Sequence, residues 1–172
     1  MNVSQTLEER AQRLATPVAL GDGDDGSEYV TFRIADERYA VETSHVIRID
    51  RLPVPTTIPG IPDCFLGAIT LQGEIVPVID LRSVLELPQA HWDRDYAIVL
   101  GGRGAPLALA ASELDGIAML AAGGRDEGLH HRYVHGVTRD AIVMLDVDAI
   151  LEDPRLSPDT DETSQNQENA PC

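Results

Sequence analysis

Phe65-Leu66-Gly67-Ala68-Ile69-Thr70-Leu71-Gln72-Gly73-Glu74-Ile75-Val76-Pro77-Val78-Ile79-Asp80-Leu81-Arg82 holds two short apolar runs, Ala68 to Leu71 and Ile75 to Ile79, on either side of a polar pair, Gln72-Gly73. The runs are mostly β-branched, which suits a pleated and half-buried surface, and Gly73 can take the positive φ that a tight hairpin turn requires. The segment reads as a hairpin. Asp80 follows the second strand at the point where a carboxylate can accept the free N–H groups of a short helix, Leu81 to Leu85, and Pro88 closes that helix off. The unit is strand, turn, strand, one-turn helix, with no catalytic look.

The same pattern recurs on both sides. Tyr29 to Ile34 and Asp36 to Val41 form a second hairpin around the turn Ala35-Asp36-Glu37, with Val30, Phe32 and Ile34 on one face. Tyr133 to Val137 and Ile142 to Val147 are further short segments, and Asp146 begins a short helix from Val147 to Leu151. About ten short apolar segments separated by Gly, Pro and charged turns make an all-β chain, either a small barrel or a sandwich. Aromatic residues are only 4% of the sequence, so the core must be built from Val, Ile, Leu and Ala. Branched aliphatics suit small barrels.

The ends differ from this body. Residues 1–27 read as a short helix, Ser4 to Leu14 with Leu7, Ala11 and Leu14 on one face, followed by an acidic flexible linker. That linker lacks the closing glutamate and flanking helices of a calcium loop. Residues 153–172 read as a disordered acidic tail, which leaves 28–152 as the folded unit.

The net charge is −16, half of it contributed by the two ends, and all thirteen basic residues are Arg. Such a surface repels phosphate backbones, which argues against a nucleic-acid partner. No apolar run approaches the roughly 18 residues of a membrane span, so the expectation is a cytoplasmic protein without direct membrane insertion. Cys64 and Cys172 read as reduced thiols.

Candidate chemistry is thin. His130, His131 and His135 are close in sequence, but Tyr133 to Val137 reads as a strand and no fourth ligand is indicated, so no metal or other cofactor is expected. Asp80, Asp95, Asp115 and Asp146 could pair for acid–base work, yet Asp80 and Asp146 already serve as helix caps. Gly101-Gly102-Arg103-Gly104 lacks the helix a phosphate loop needs. The chain reads as a non-enzyme.

Gly67, Leu71, Gly73, Pro77, Asp80, Leu81 and Arg82 match the most recognisable segment of the CheW family of chemotaxis adaptors, with Thr70 and Gln72 as departures. The opening hairpin, the proline-bearing loop Pro55 to Pro62, and Tyr133 to Val137 with Ile142 to Val147 as the closing hairpin resemble the family in the same order. The resemblance implies two small five-stranded SH3-like barrels packed together, with the chain crossing between them. It implies a non-enzymatic adaptor that couples the cytoplasmic tip of methyl-accepting chemoreceptors to a CheA-type histidine kinase, recruited to the inner membrane face through the receptors. By that resemblance Val46, Arg48, Gly67 and Gln72 would form the receptor surface, and Gly73, Pro77, Asp80, Arg82 and Asp146 would be structural. Kinase contacts are not assigned to residues. Arg48 stands where the family often has Glu, and Gln72 where it has Arg, which points to a non-standard receptor or to an output such as pilus motility. A scaffold that binds kinase without receptor is the alternative, and an uncharacterised hydrolase is the second.

Overall fold

A computed structural model describes residues 27–88, 91–102, 105–121 and 131–156. Its strands are β1 (Glu28–Ile34), β2 (Glu37–Glu42), β3 (Val46–Arg51), β4 (Phe65–Leu71), β5 (Glu74–Ile79), β6 (Tyr96–Leu100), β7 (Leu107–Ala111), β8 (Glu113–Met119), β9 (Val134–Val137) and β10 (Ile142–Leu145). They form two five-stranded sheets, ordered β8-β1-β2-β10-β9 and β3-β6-β7-β5-β4. The chain begins in the first sheet, builds the whole second sheet, and returns with β8. This crossing leaves two parallel pairs, β2 with β10 and β5 with β7, which no hairpin could join.

The β4–β5 hairpin pairs Leu71 with Glu74, so Gln72 and Gly73 are the whole turn. Both have positive φ, 52° and 89°, which is the turn whose twist matches the flanking strands. The sequence assigned that conformation to Gly73 only. The β1–β2 turn is likewise tighter than expected, because Glu37 already belongs to β2 and pairs with Ile34. Pro77 is tolerated in an inner strand because pairing with β7 begins only at Val78.

Val30, Phe32 and Ile34 all lie in the core. One buried cluster unites residues of both sheets, with Phe32, Tyr39 and Val41 packed with Val78, Ile98 and Leu109. Each such side chain contributes about 1.5–3 kcal/mol when fully buried, so neither sheet keeps its core without the other. Two helices cover the ends of strands. Leu81–Val84 starts at Asp80, which accepts from the Arg82 N–H at 3.0 Å, and Val147–Leu151 starts at Asp146, which accepts from the Ala149 N–H at 3.0 Å.

Arg82 joins the sheets. Its guanidinium lies 3.5 Å from Glu37 on β2 and donates to the Pro88 carbonyl at 3.0 Å. Glu37 also accepts from the Tyr39 hydroxyl, and burial together with that carboxylate pushes the phenol far above its ordinary value, so it remains a donor.

The body extends past the boundary expected after residue 152. Asp153 is 1% exposed and Leu156 5%. The Tyr133 hydroxyl hydrogen-bonds Asp153, whose charge meets Arg155 at 3.2 Å and Arg132 at 3.4 Å. Asp153 and Arg155 look like tail residues in sequence because the tyrosine that holds them lies on the lead-in to β9. The expected N-terminal helix and linker, and residues 157–172, lie outside the described residues.

Candidate protein-interaction surface

Val46 and Arg48 are on β3, Gly67 is on β4 and Gln72 is in the β4–β5 turn, all in the second sheet. β3 and β4 are its two outer strands. The chain leaving β3 returns to β4 at Thr56, whose N–H and C=O bond reciprocally with Ala68 at 2.8 and 2.9 Å, and this closes the sheet into a ring. These four candidate residues therefore lie along the seam where the barrel closes.

Gly67 explains the seam. It lies inside β4 with φ 132°, and a Cβ there would stand 2.3 Å from the Thr56 carbonyl oxygen. The glycine permits one backbone to lie against another. Thr56 and Pro55 fill the space a side chain would need, so the glycine seats the Thr56 loop against β4.

Two bulges govern what faces outward. Val46 pairs with Leu100 and Arg48 with Val99, which leaves Ile47 as the extra residue, 61% exposed. Its side chain lies over Gly101, where any Cβ would collide with it at 2.3 Å. Val46 is half-buried against the core. A matching irregularity between Phe65 and Gly67 sets up the close approach to Thr56.

Arg48 is half-buried and its Nε donates to Asp50. The Asp50 hydrogen bond and charge, with Glu74 adding to the field, hold its guanidinium above its ordinary value. Glu74 immediately follows the turn, so the charge next to Gln72 contributes to the field at Arg48. Gln72 itself is exposed. Two isoleucines, Ile47 and Ile75 at 61% and 74% exposure, flank these polar groups in sequence. Ile75 follows from simple alternation with the buried Val76 and Val78. Ile47 does not, because the bulge shifts the register.

The other candidate residues are dispersed. Asp80 caps its helix and meets Arg94 at 3.0 Å, Asp115 meets Arg38 at 3.0 Å and Arg33 at 3.3 Å, and Asp95 meets Arg51 at 3.9 Å. Each has a cation in place of a second carboxylate. His131 packs on Tyr133 with ring centroids 4.9 Å apart, and burial lowers its pKa. His130 lies outside the described residues, and among the described residues no three His, Cys, Asp or Glu side chains converge as metal ligands. Cys64 is half-buried, and burial raises its pKa. No helix among the described residues is long and apolar enough to cross a membrane.

Residues 28–155 match the CheW-like domain family. The chain is similar to the chemotaxis protein CheW of Bacillus subtilis (strain 168), 36% identical over 75 residues that cover 44% of this chain and 48% of that protein. It is similar over a longer stretch to CheW of Treponema pallidum (strain Nichols), 24% identical over 156 residues, 81% of this chain and 90% of that protein. Protein FrzA of Myxococcus xanthus is 31% identical over 64 residues, 37% of this chain and 40% of that protein. The chain spans about half the length of the first relatives it matches. Among solved structures, the scaffolding protein TtCheW from Thermoanaerobacter tengcongensis shares the fold, with a TM-score of 0.62, 21% identity, and coverage of 71% of this chain and 90% of that one.

Proposed function

The chain belongs to the CheW-like domain family, a family of non-enzymatic scaffold adaptors, and from that premise we propose that it couples chemoreceptors to a CheA-type histidine kinase. The family match across 28–155 carries this reading, and the burial of Asp153 and Leu156 agrees with a folded body that includes the end of that match. Such an adaptor needs no reactive group. It needs two surfaces held in fixed relation, so that receptor state alters kinase state through a coupling free energy of about 1–3 kcal/mol. A core shared by both sheets and the Arg82–Glu37 contact between them supply that fixed relation. The working location is the cytoplasmic face of the membrane, reached through the receptor.

The receptor surface in this reading is the seam of the second barrel: Val46, Ile47 and Arg48 on β3 and Gln72 in the turn, with Gly67 seating the loop beside them. Its electrostatics favour a non-standard receptor. Arg48 brings a cation already neutralised by Asp50, and Gln72 brings a neutral amide, so the complementary receptor face should be less charged than one built for a Glu on β3 and an Arg in the turn. Gln72→Arg is the test. The turn conformation costs Arg and Gln alike, so the substitution changes only the side chain. Co-sedimentation with membranes bearing the cognate receptor, with and without kinase, should show binding weakened by about 1 kcal/mol and more salt-sensitive. Unchanged affinity would remove Gln72 from the surface. Kinase binding with no receptor binding in the parent protein would make the chain a kinase scaffold.

A further inference from the structure

A groove of about 560 Å³ opens between the β1–β2 turn, the segment following the Leu81–Val84 helix and the β9–β10 turn, and it shares no residue with the seam. Its floor is apolar: Leu85, Leu87 and Val143 are all half-buried and line it beside the ring of Tyr39. Its rim is acidic. Asp36 and Asp140 line it, both exposed and without an ion-pair partner among the described residues, and Glu37, shared with Arg82, lines it beside them. The two basic side chains present do not offset these charges. Arg38 donates to Asp115 at 3.0 Å, and burial lowers the pKa of His131 so that it is neutral at neutral pH.

The walls are preformed. Ala35, Glu86 and Ala141 have φ of 53°, 56° and 58°, so each of the three bounding turns is held in a conformation that L-residues avoid. A groove fixed in this way loses little entropy on filling. The chain's own ends cannot fill it favourably, because residues 1–26 carry five acids against two Arg and residues 157–172 carry four acids and no base. A second copy, at net charge −16, is repelled for the same reason.

We infer that this groove receives a basic, amphipathic segment of a partner protein, its aliphatic side chains lying on Leu85, Leu87 and Val143 and its flanking Arg or Lys meeting Asp36 and Asp140. Apolar floor and acidic rim are the two halves of that recognition, the first giving affinity and the second register. The inference stands apart from the receptor surface and survives or fails without it.

The test uses the full chain, isotope-labelled, and a capped peptide of about four helical turns with Leu at i, i+3, i+4 and i+7 and Arg between them. A Glu-for-Arg counterpart and the small cation agmatine complete the set of probes. The Arg peptide should shift the amide resonances of Leu85, Leu87, Asp140 and Val143. Its dissociation constant should rise at least about tenfold in the Asp36→Lys, Asp140→Lys variant, whose substitutions are on exposed side chains, and rise again in a separate Leu87→Gln variant. Equal binding of the Glu peptide, unchanged affinity in the charge variant, or shifts clustered elsewhere would each overturn the inference. Agmatine shifting the same resonances as tightly as the peptide would make the groove a site for a small cation and overturn it too.

Discussion

Gly67→Ala puts the barrel seam under direct test. The added Cβ would stand 2.3 Å from the Thr56 carbonyl oxygen and 2.8 Å from its carbon, and since both are backbone atoms the clash is relieved only if the loop moves. Moving it breaks the two reciprocal bonds between Thr56 and Ala68, at 2.8 and 2.9 Å. Each is worth about 1 kcal/mol net. A non-glycine residue held at φ 132° adds about 1–3 kcal/mol. The sum is about 3–5 kcal/mol, which for a body of this size lowers Tm by roughly 10–20 °C. Thermal unfolding followed by circular dichroism reads the loss, and hydrogen exchange at the Thr56 and Ala68 amides reads its location. A Tm within about 2 °C of the parent, with both amides still protected, would refute the close-approach argument. A variant that keeps its Tm and yet loses receptor binding would show that a partner touches Gly67 itself.

Asp80→Ala removes a helix cap worth about 1 kcal/mol and also leaves Arg94 without its carboxylate, so urea unfolding should show a loss of about 2–4 kcal/mol, with Asp80→Asn, which keeps a capping oxygen, losing less. Equal losses in the two would mean that the cap contributes nothing and the whole loss belongs to the Arg94 contact. Ending the chain at Leu156 should leave the melting temperature unchanged, whereas ending it at Glu152 deletes Asp153 and Leu156 and should cost about 3–5 kcal/mol. Burial alone would raise the Asp153 carboxyl, but hydrogen bonds from Arg155 and the charges of Arg155 and Arg132 outweigh it and hold the group below its ordinary value. A lowered folded-state pKa gives stability that is present at neutral pH and lost as pH falls through that pKa. The urea midpoint should therefore fall more steeply below about pH 5 in the parent than in Asp153→Asn, and parallel profiles would remove Asp153 from the acid response.

What the sequence disclosed follows the range of the interactions. The β4–β5 hairpin and both helix caps were legible because each depends on residues within a few positions of one another: Gln72-Gly73 for the turn, and Asp80 and Asp146 for the N–H groups two or three residues on. The contacts that orient the barrels were not legible. Arg82 with Glu37, Arg94 with Asp80 and Tyr133 with Asp153 join residues far apart in the chain, and nothing in the local pattern singles out one partner. Asp153 was accordingly assigned to a disordered tail although it is among the most buried acids. Bulges form a third class. Simple alternation with the buried Val76 and Val78 accounts for the exposed Ile75, but an extra residue in β3 shifts the rule at Ile47, and only the register against β6 reveals it. The proposed receptor surface depends on all three classes at once. Its turn comes from local chemistry, its exposed Ile47 from a bulge, and its seam from ring closure through Thr56. A substitution at Gln72 can therefore alter what the surface binds while the barrel stays intact, whereas one at Gly67 acts on the barrel first and on binding only through it.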